Sequence, residues 1–103
     1  MDEPKIEIKK NFYPSGRLKE VIPYQNGRQH GLVKVYYESG VLMNEIPMVN
    51  GQVHGTVKVY NEAGKLASDI PHQNGQKTGE VKHYDKNGNV YRTEIFKNGF
   101  KLG

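Results

Sequence analysis

Four lysines and four aromatic residues recur together along the chain: Lys10 with Phe12, Lys34 with Tyr36, Lys58 with Tyr60, and Lys82 with Tyr84. Within each pair the residues stand two apart. In a β-strand that spacing puts the ammonium group and the ring on one face. Rows of this kind suit recognition of an acidic or aromatic partner, through charge on one row and ring stacking on the other. They also suit a purely structural use, in which rings pack along a sheet and lysine stems cover them while the charges stay wet.

Other chemistries are poorly served by the residues present. His30 and His54 occupy equivalent places in the sequence, but equivalent sites two strands apart would lie ~9.6 Å from each other, too far to share one ion. Adding His72 and His83 gives no metal-ligand spacing, so neither a metal nor another cofactor is expected. Ser15 and Ser39 fall in turn clusters, no Gly-x-Ser-x-Gly elbow is present, and the carboxylates form no acid–base pair by sequence. An enzyme is therefore not expected. Cysteine is absent, which removes disulfides, thiolate metal sites and a cysteine nucleophile.

What positions the paired rows is a period of 24 residues. All 12 glycines fall into three columns: Gly16, Gly40, Gly64, Gly88; Gly27, Gly51, Gly75, Gly99; and Gly31, Gly55, Gly79, Gly103. Leu18, Leu42, Leu66 and Val90 keep the same step, as do Asn26, Asn50, Asn74 and Asn98, and Val33, Val57 and Val81. Regular recurrence without insertions is the mark of a repeat architecture, in which one small unit stacks on copies of itself. The 103 residues then read as one domain spanning 1–103, with units at about 10–33, 34–57, 58–81 and 82–103.

Each unit reads as a β-hairpin. The segment from Gly31 to Tyr37 is rich in β-branched and aromatic residues and ends in the turn cluster Glu38-Ser39-Gly40. A glycine closing a three-residue loop suits the left-handed position of a type I turn followed by a G1 bulge. The next strand runs from Val41 to Met48, and Asn50-Gly51 is a strong two-residue hairpin signal leading into the following unit. The expected fold is an all-β, single-layer antiparallel meander of about seven or eight strands, roughly 35 to 40 Å by 23 Å. No segment reads as a helix. The low apolar share of 35% also favours a thin plate over a thick globule.

Ile22-Pro23, Ile46-Pro47 and Ile70-Pro71 recur in the second strand of the hairpin. Because proline cannot donate to a ladder, this column is expected at a bulge or strand end. The fourth unit has Glu94 and Ile95 in those columns, a displacement of the apolar residue by one place that reverses its face. This is the atypical end expected of a repeat array. Ile6 and Ile8 alternate ahead of Lys10 and Phe12 and are expected to open the sheet on the aromatic side.

The pattern N-G-x-x-x-G-x-x-K-x-Y-x-x-x-G-x-L appears as Asn26-Gly27, Gly31, Lys34, Tyr36, Gly40 and Leu42. It appears again as Asn50-Gly51, Gly55, Lys58, Tyr60, Gly64 and Leu66, and a third time from Asn74-Gly75 through Lys82, Tyr84 and Gly88. These residues resemble the MORN repeat, and more closely the bacterial variant found in YwqK-like antitoxins. The resemblance implies a row of hairpins used for protein interaction, scaffolding, toxin neutralisation or placement at a membrane.

Charge narrows these options. The net charge is +4, but basic and acidic residues are interspersed and no basic run appears, which argues against a nucleic-acid partner. Four lysines at about 1 kcal/mol each near an anionic leaflet supply about 4 kcal/mol, a millimolar attraction. Membrane association is accordingly expected to be weak. The N-terminal Met1-Asp2-Glu3-Pro4 lacks the apolar stretch of a signal peptide, and no apolar run approaches the ~20 residues that span a bilayer. A soluble, cytoplasmic chain is the expectation, with an unidentified protein as partner. An exposed sheet edge adds homo-oligomerisation by strand pairing as a further expectation.

Overall fold

The computed structural model describes residues 3–103 and contains, among them, only strands and turns. The first hairpin pairs β1 (Ile6–Phe12) with β2 (Leu18–Gln25). Then come β3 (Arg28–Gln29), β4 (Gly31–Tyr36), β5 (Leu42–Val49), β6 (Gln52–Val53), β7 (Gly55–Tyr60) and β8 (Leu66–Gln73). The chain closes with β9 (Gln76–Lys77), β10 (Gly79–Tyr84), β11 (Val90–Lys97) and β12 (Phe100–Leu102). All belong to one antiparallel sheet, in the order β1-β2-β4-β5-β7-β8-β10-β11-β12, with β3, β6 and β9 pairing on β2, β5 and β8.

Twelve strands replace the expected seven or eight because three returning strands are broken near their start, which adds β3, β6 and β9, and because the short β12 adds a further strand on β11. Gln25 pairs with Arg28 and Tyr24 with Gln29, but the next pair is Val21 with Lys34. Ile22 and Pro23 therefore stand opposite four residues, His30 to Val33. The cause is the proline. It has no N–H to offer, so the partner strand bulges away, keeping one bond from the His30 N–H to the Pro23 carbonyl at 3.0 Å. The same bond joins His54 to Pro47 and Thr78 to Pro71.

The bulge also accounts for the third glycine column. Gly55 has φ 120, and a Cβ built there would lie 3.0 Å from Cγ of Pro47; at Gly31 and Gly79 the corresponding distances to Pro23 and Pro71 are 3.2 and 3.1 Å. The ring thus rests on the bare glycine backbone. In the last unit Ile95 replaces proline, and a Cβ at Gly103 would meet nothing within 4 Å.

The other connections are tight turns. Asn26, Asn50, Asn74 and Asn98 have φ between 47 and 52, and each following glycine is also left-handed, the pattern of a two-residue type I′ hairpin. At the opposite rim, the Gly40 N–H donates to the Tyr37 carbonyl and the Tyr37 N–H to the Val41 carbonyl, the closure of a type I turn with a bulged glycine.

Register sorts the side chains into two faces. Val33 lies opposite Ile46 and Val57 opposite Ile70, while Lys34 lies opposite Glu45 and Lys58 opposite Asp69. The Val/Ile face holds what core there is: Ile22, Val33 and Val81 are 8%, 5% and 3% exposed. In the fourth unit the register is kept, with Val81 opposite Glu94. The backbone has not slipped. What has changed face is the apolar side chain, so that Glu94 ends the aliphatic strip and Ile95 emerges on the lysine side. The sheet measures 46 × 36 × 19 Å. Its 19 Å depth exceeds the about 10 Å of a flat layer because antiparallel strands twist relative to their neighbours.

Gly55→Ala and Gly51→Ala separate the two demands on glycine. Both place a Cβ at positive φ, 85 at Gly51 and 120 at Gly55, at a cost of about 1–2 kcal/mol or more, but only Gly55→Ala also drives that Cβ into Pro47. It should lower the unfolding free energy by roughly 1 kcal/mol more in urea titrations, and equal losses would refute the ring-on-glycine contact.

Candidate functional site

The lysine face is built by β1, β2, β4, β5, β7, β8 and β10. Pairing carries Lys10 to Val21, Val21 to Lys34, Lys34 to Glu45, Glu45 to Lys58, Lys58 to Asp69, and Asp69 to Lys82. Across the sheet this reads Lys, Val, Lys, Glu, Lys, Asp, Lys. Lys10, Lys58 and Lys82 are exposed and Lys34 is half-buried. Opposite charges side by side across an antiparallel pair stabilise it modestly. The lysine column is thus interleaved with carboxylates for most of its length, and the exception is the Val21 position.

The rings lie along the same face, at the strand ends toward the three-residue turns. Tyr36, Tyr60 and Tyr84 are half-buried and Phe12 is 57% exposed. The Tyr60 hydroxyl donates to Glu45 Oε1 and the Tyr84 hydroxyl to Asp69 Oδ2, both at 2.7 Å. The carboxylate acceptor favours the neutral phenol, and desolvation adds to this, so Tyr60 is pushed up to about 12 and Tyr84 is raised for the same reasons. Tyr36 faces Val21 where an acid would be. Asp69 Oδ1 is enclosed without a hydrogen-bond partner, so the Tyr84 hydroxyl on Oδ2 is the side-chain bond this carboxylate keeps.

Two further tyrosines, Tyr13 and Tyr37, reach across to the next unit and donate to the backbone carbonyls of Tyr36 and Tyr60. In later units this turn position holds Asn61 and Asp85, whose side chains accept N–H groups within their own turns. Tyr13 and Tyr37 thus tie the early turns to their neighbours, while Asn61 and Asp85 brace their own turns and Lys65 Nζ reaches the Lys86 carbonyl of the next turn at 3.1 Å.

The histidine column has a structural task. Nδ1 of His30 accepts the Asn50 N–H at 3.2 Å, and Nδ1 of His54 accepts the Asn74 N–H at 3.3 Å. In the third unit Thr78 Oγ1 does the same for Asn98 at 3.1 Å. Alongside, the Gly51 N–H donates to the Gln29 carbonyl and Gly75 to Val53. Each Asn-Gly turn is thus clasped to the unit before it. Among the described residues no group of three metal-ligating side chains comes together.

One constellation was invisible in the sequence. On the aliphatic face Ser68 Oγ lies 2.8 Å from His83 Nδ1, and His83 Nε2 lies 2.9 Å from Glu94 Oε1. Glu94 Oε2 is also 3.2 Å from Lys101 Nζ and 3.3 Å from Arg92. The order serine, imidazole, carboxylate matches that of a nucleophilic triad. Its surroundings do not. Ser68 sits mid-strand between Val59 and His83, with its backbone committed to the sheet. The imidazole is also reversed, since a triad serine meets Nε2 and the carboxylate Nδ1; the Glu94 carboxyl itself is held down at about 2 by hydrogen bonds from His83 and Lys101. The cluster is a polar end to the aliphatic strip. At the other end Asn11 Nδ2 donates to Glu20 Oε1 at 2.6 Å. Only register could reveal either cluster, since the residues stand 9 to 15 apart with no shared motif.

The fold and this surface define a plate of β-hairpin repeats. The chain belongs to the MORN repeat variant family, which matches residues 8–26, 29–50, 53–74 and 77–98. Repeats of this family commonly serve as protein-interaction or membrane-association modules and are generally not enzymes. No curated protein and no solved structure shows a match.

Two titrations probe these contacts. Because the folded-state value of Tyr60 is raised, its stabilising bond is fully present below pH about 10 and is lost as pH rises through about 12. An absorbance titration of the phenols should show a late-ionising tyrosine that Tyr60→Phe removes. Glu94 is depressed, so its contribution holds above the ordinary carboxyl range and disappears as pH falls through about 2. Glu94→Gln should flatten that acid limb. At the turn clasp, His54→Thr should match the native chain in urea, whereas His54→Ala should lose about 0.5 to 1 kcal/mol.

Proposed function

We propose that the chain is a non-enzymatic interaction module that takes an extended acidic segment of a partner protein on the lysine–aromatic face, at its β1–β2–β4 end. The observation that carries this reading is Val21. Elsewhere in the row every two lysines are separated by a carboxylate, but Lys10 and Lys34 have Val21 between them. Beside them stand Phe12 at 57% exposure, Leu32 at 41%, and Tyr36 with no acid at its hydroxyl's equivalent position. Positive charge next to apolar and aromatic surface fits an anionic segment carrying apolar side chains.

The far end of the same face has Asp69 between Lys58 and Lys82 and offers much less net charge. This contrast makes the reading testable. In fluorescence titrations with a panel of acidic, aromatic-containing peptides, Lys34→Glu should weaken binding about five- to tenfold, the size of a surface charge contact of about 1 kcal/mol or slightly more. Lys82→Glu should change it little. Equal losses from both variants would refute a localised site. Binding of phosphatidylserine vesicles with no binding of any peptide would replace the protein partner with a membrane surface.

A further inference from the structure

We propose that β1 is a self-complementary edge through which two copies of this chain pair antiparallel about a two-fold axis at Ile8, giving one continuous sheet. This goes beyond the recognition of an acidic segment and does not rest on it.

The phase of the β1 edge follows from one proline. Ile8 lies opposite Pro23, and a proline has no N–H with which to complete a hydrogen-bonded pair. Ile8↔Pro23 is therefore a non-bonded pair of the β1–β2 ladder, and antiparallel alternation puts Glu7, Lys9 and Asn11 in the bonded ones. The bond from the Asn26 N–H to the Lys5 carbonyl agrees with this alternation. Ile6, Ile8 and Lys10 then direct their N–H and C=O groups away from β2, toward the open side. Their side chains share the lysine face with Phe12, and Ile6, Ile8 and Phe12 are 59%, 55% and 57% exposed. A seven-residue edge strand with three exposed large apolar residues on one face is an invitation to pairing.

Charge selects the occupant and the register. Reading outward from Ile8, one neighbour is Glu7 and the other Lys9. Pairing Ile8 with Ile8 of a second copy places Glu7 opposite Lys9 of the second copy and Lys9 opposite its Glu7, on the aliphatic face. On the lysine face Ile6 meets the stem of Lys10, again twice. Shifting the pairing by one bonded step in either direction puts Glu7 against Glu7 or Lys9 against Lys9, which like-charge contact disfavours. The two-fold arrangement is also closed, so it ends at a dimer. It brings the two faces edge to edge with the Ile8 pair at the axis, flanked on each side by Ile6 against the stem of Lys10.

The test uses the whole chain in sedimentation velocity from about 1 μM to 1 mM, the range that brackets weak pairing. A concentration-dependent dimer is expected. Ile8→Pro removes an N–H that the β1–β2 ladder does not use and should leave a folded monomer. Glu7→Lys alone and Lys9→Glu alone each put like charges across the axis and should weaken the dimer at least about tenfold. Mixing these two variants restores both opposite-charge pairs, so native mass spectrometry of the mixture should show a dimer containing one of each. A native chain that stays monomeric to about 1 mM overturns the proposal. So does a dimer that persists in both charge variants, a mixture that fails to form the mixed dimer, or an open-ended ladder of oligomers from head-to-tail contact with β11.

Discussion

Cross-strand register is the constraint on which this molecule depends. A single-layer sheet has no second layer to bury a face against, so each residue gains its contacts from the strand on either side. Moving one strand by a single residue would send Val33 to the lysine side and Lys34 into the aliphatic strip. Turn geometry prevents that. Left-handed asparagine and glycine at one rim and a bulged glycine at the other leave each hairpin one way to close. Between hairpins, the prolines set a bulge at a constant place and the ring-on-glycine contact locks it.

The same register creates the surface chemistry. Alternation alone puts lysines and rings on one face, but it is pairing that inserts Glu45 and Asp69 between the lysines and delivers their oxygens to Tyr60 and Tyr84. A row that looks uniformly basic along the chain has half of its positive charge offset by carboxylates across the sheet. Its one gap, at Val21, becomes the distinguishing feature of the face. On the opposite face the aliphatic strip ends in hydrogen-bonded polar clusters at Asn11–Glu20 and at Ser68–His83–Glu94, which satisfy side chains that would otherwise border apolar surface.

Differences between the units are therefore more informative about function than their likeness. The shared residues (the turn glycines, Asn50 and its equivalents, and Ile46-Pro47 with its equivalents in the first three units) shape the plate. Positions that vary decide what it presents: Val21, Glu45, Asp69 and Thr93 in one column, His30, His54, Thr78 and Leu102 in another. Where the column of His30 and His54 invites thoughts of a metal, the imidazoles instead hold the Asn-Gly turn of the following unit.

The repeat period, the all-β hairpin architecture and the shared face of Lys34 with Tyr36 were determined by the sequence itself, because turn chemistry and strand alternation are local rules written within a few residues. The count of strands was not, since it depends on how a partner strand answers a proline it meets only after the chain has turned back. Nor were the Tyr60–Glu45 bond, the turn clasps or the Ser68–His83–Glu94 cluster. Each joins residues from different strands, and which residues stand opposite one another is decided only when the hairpins pair.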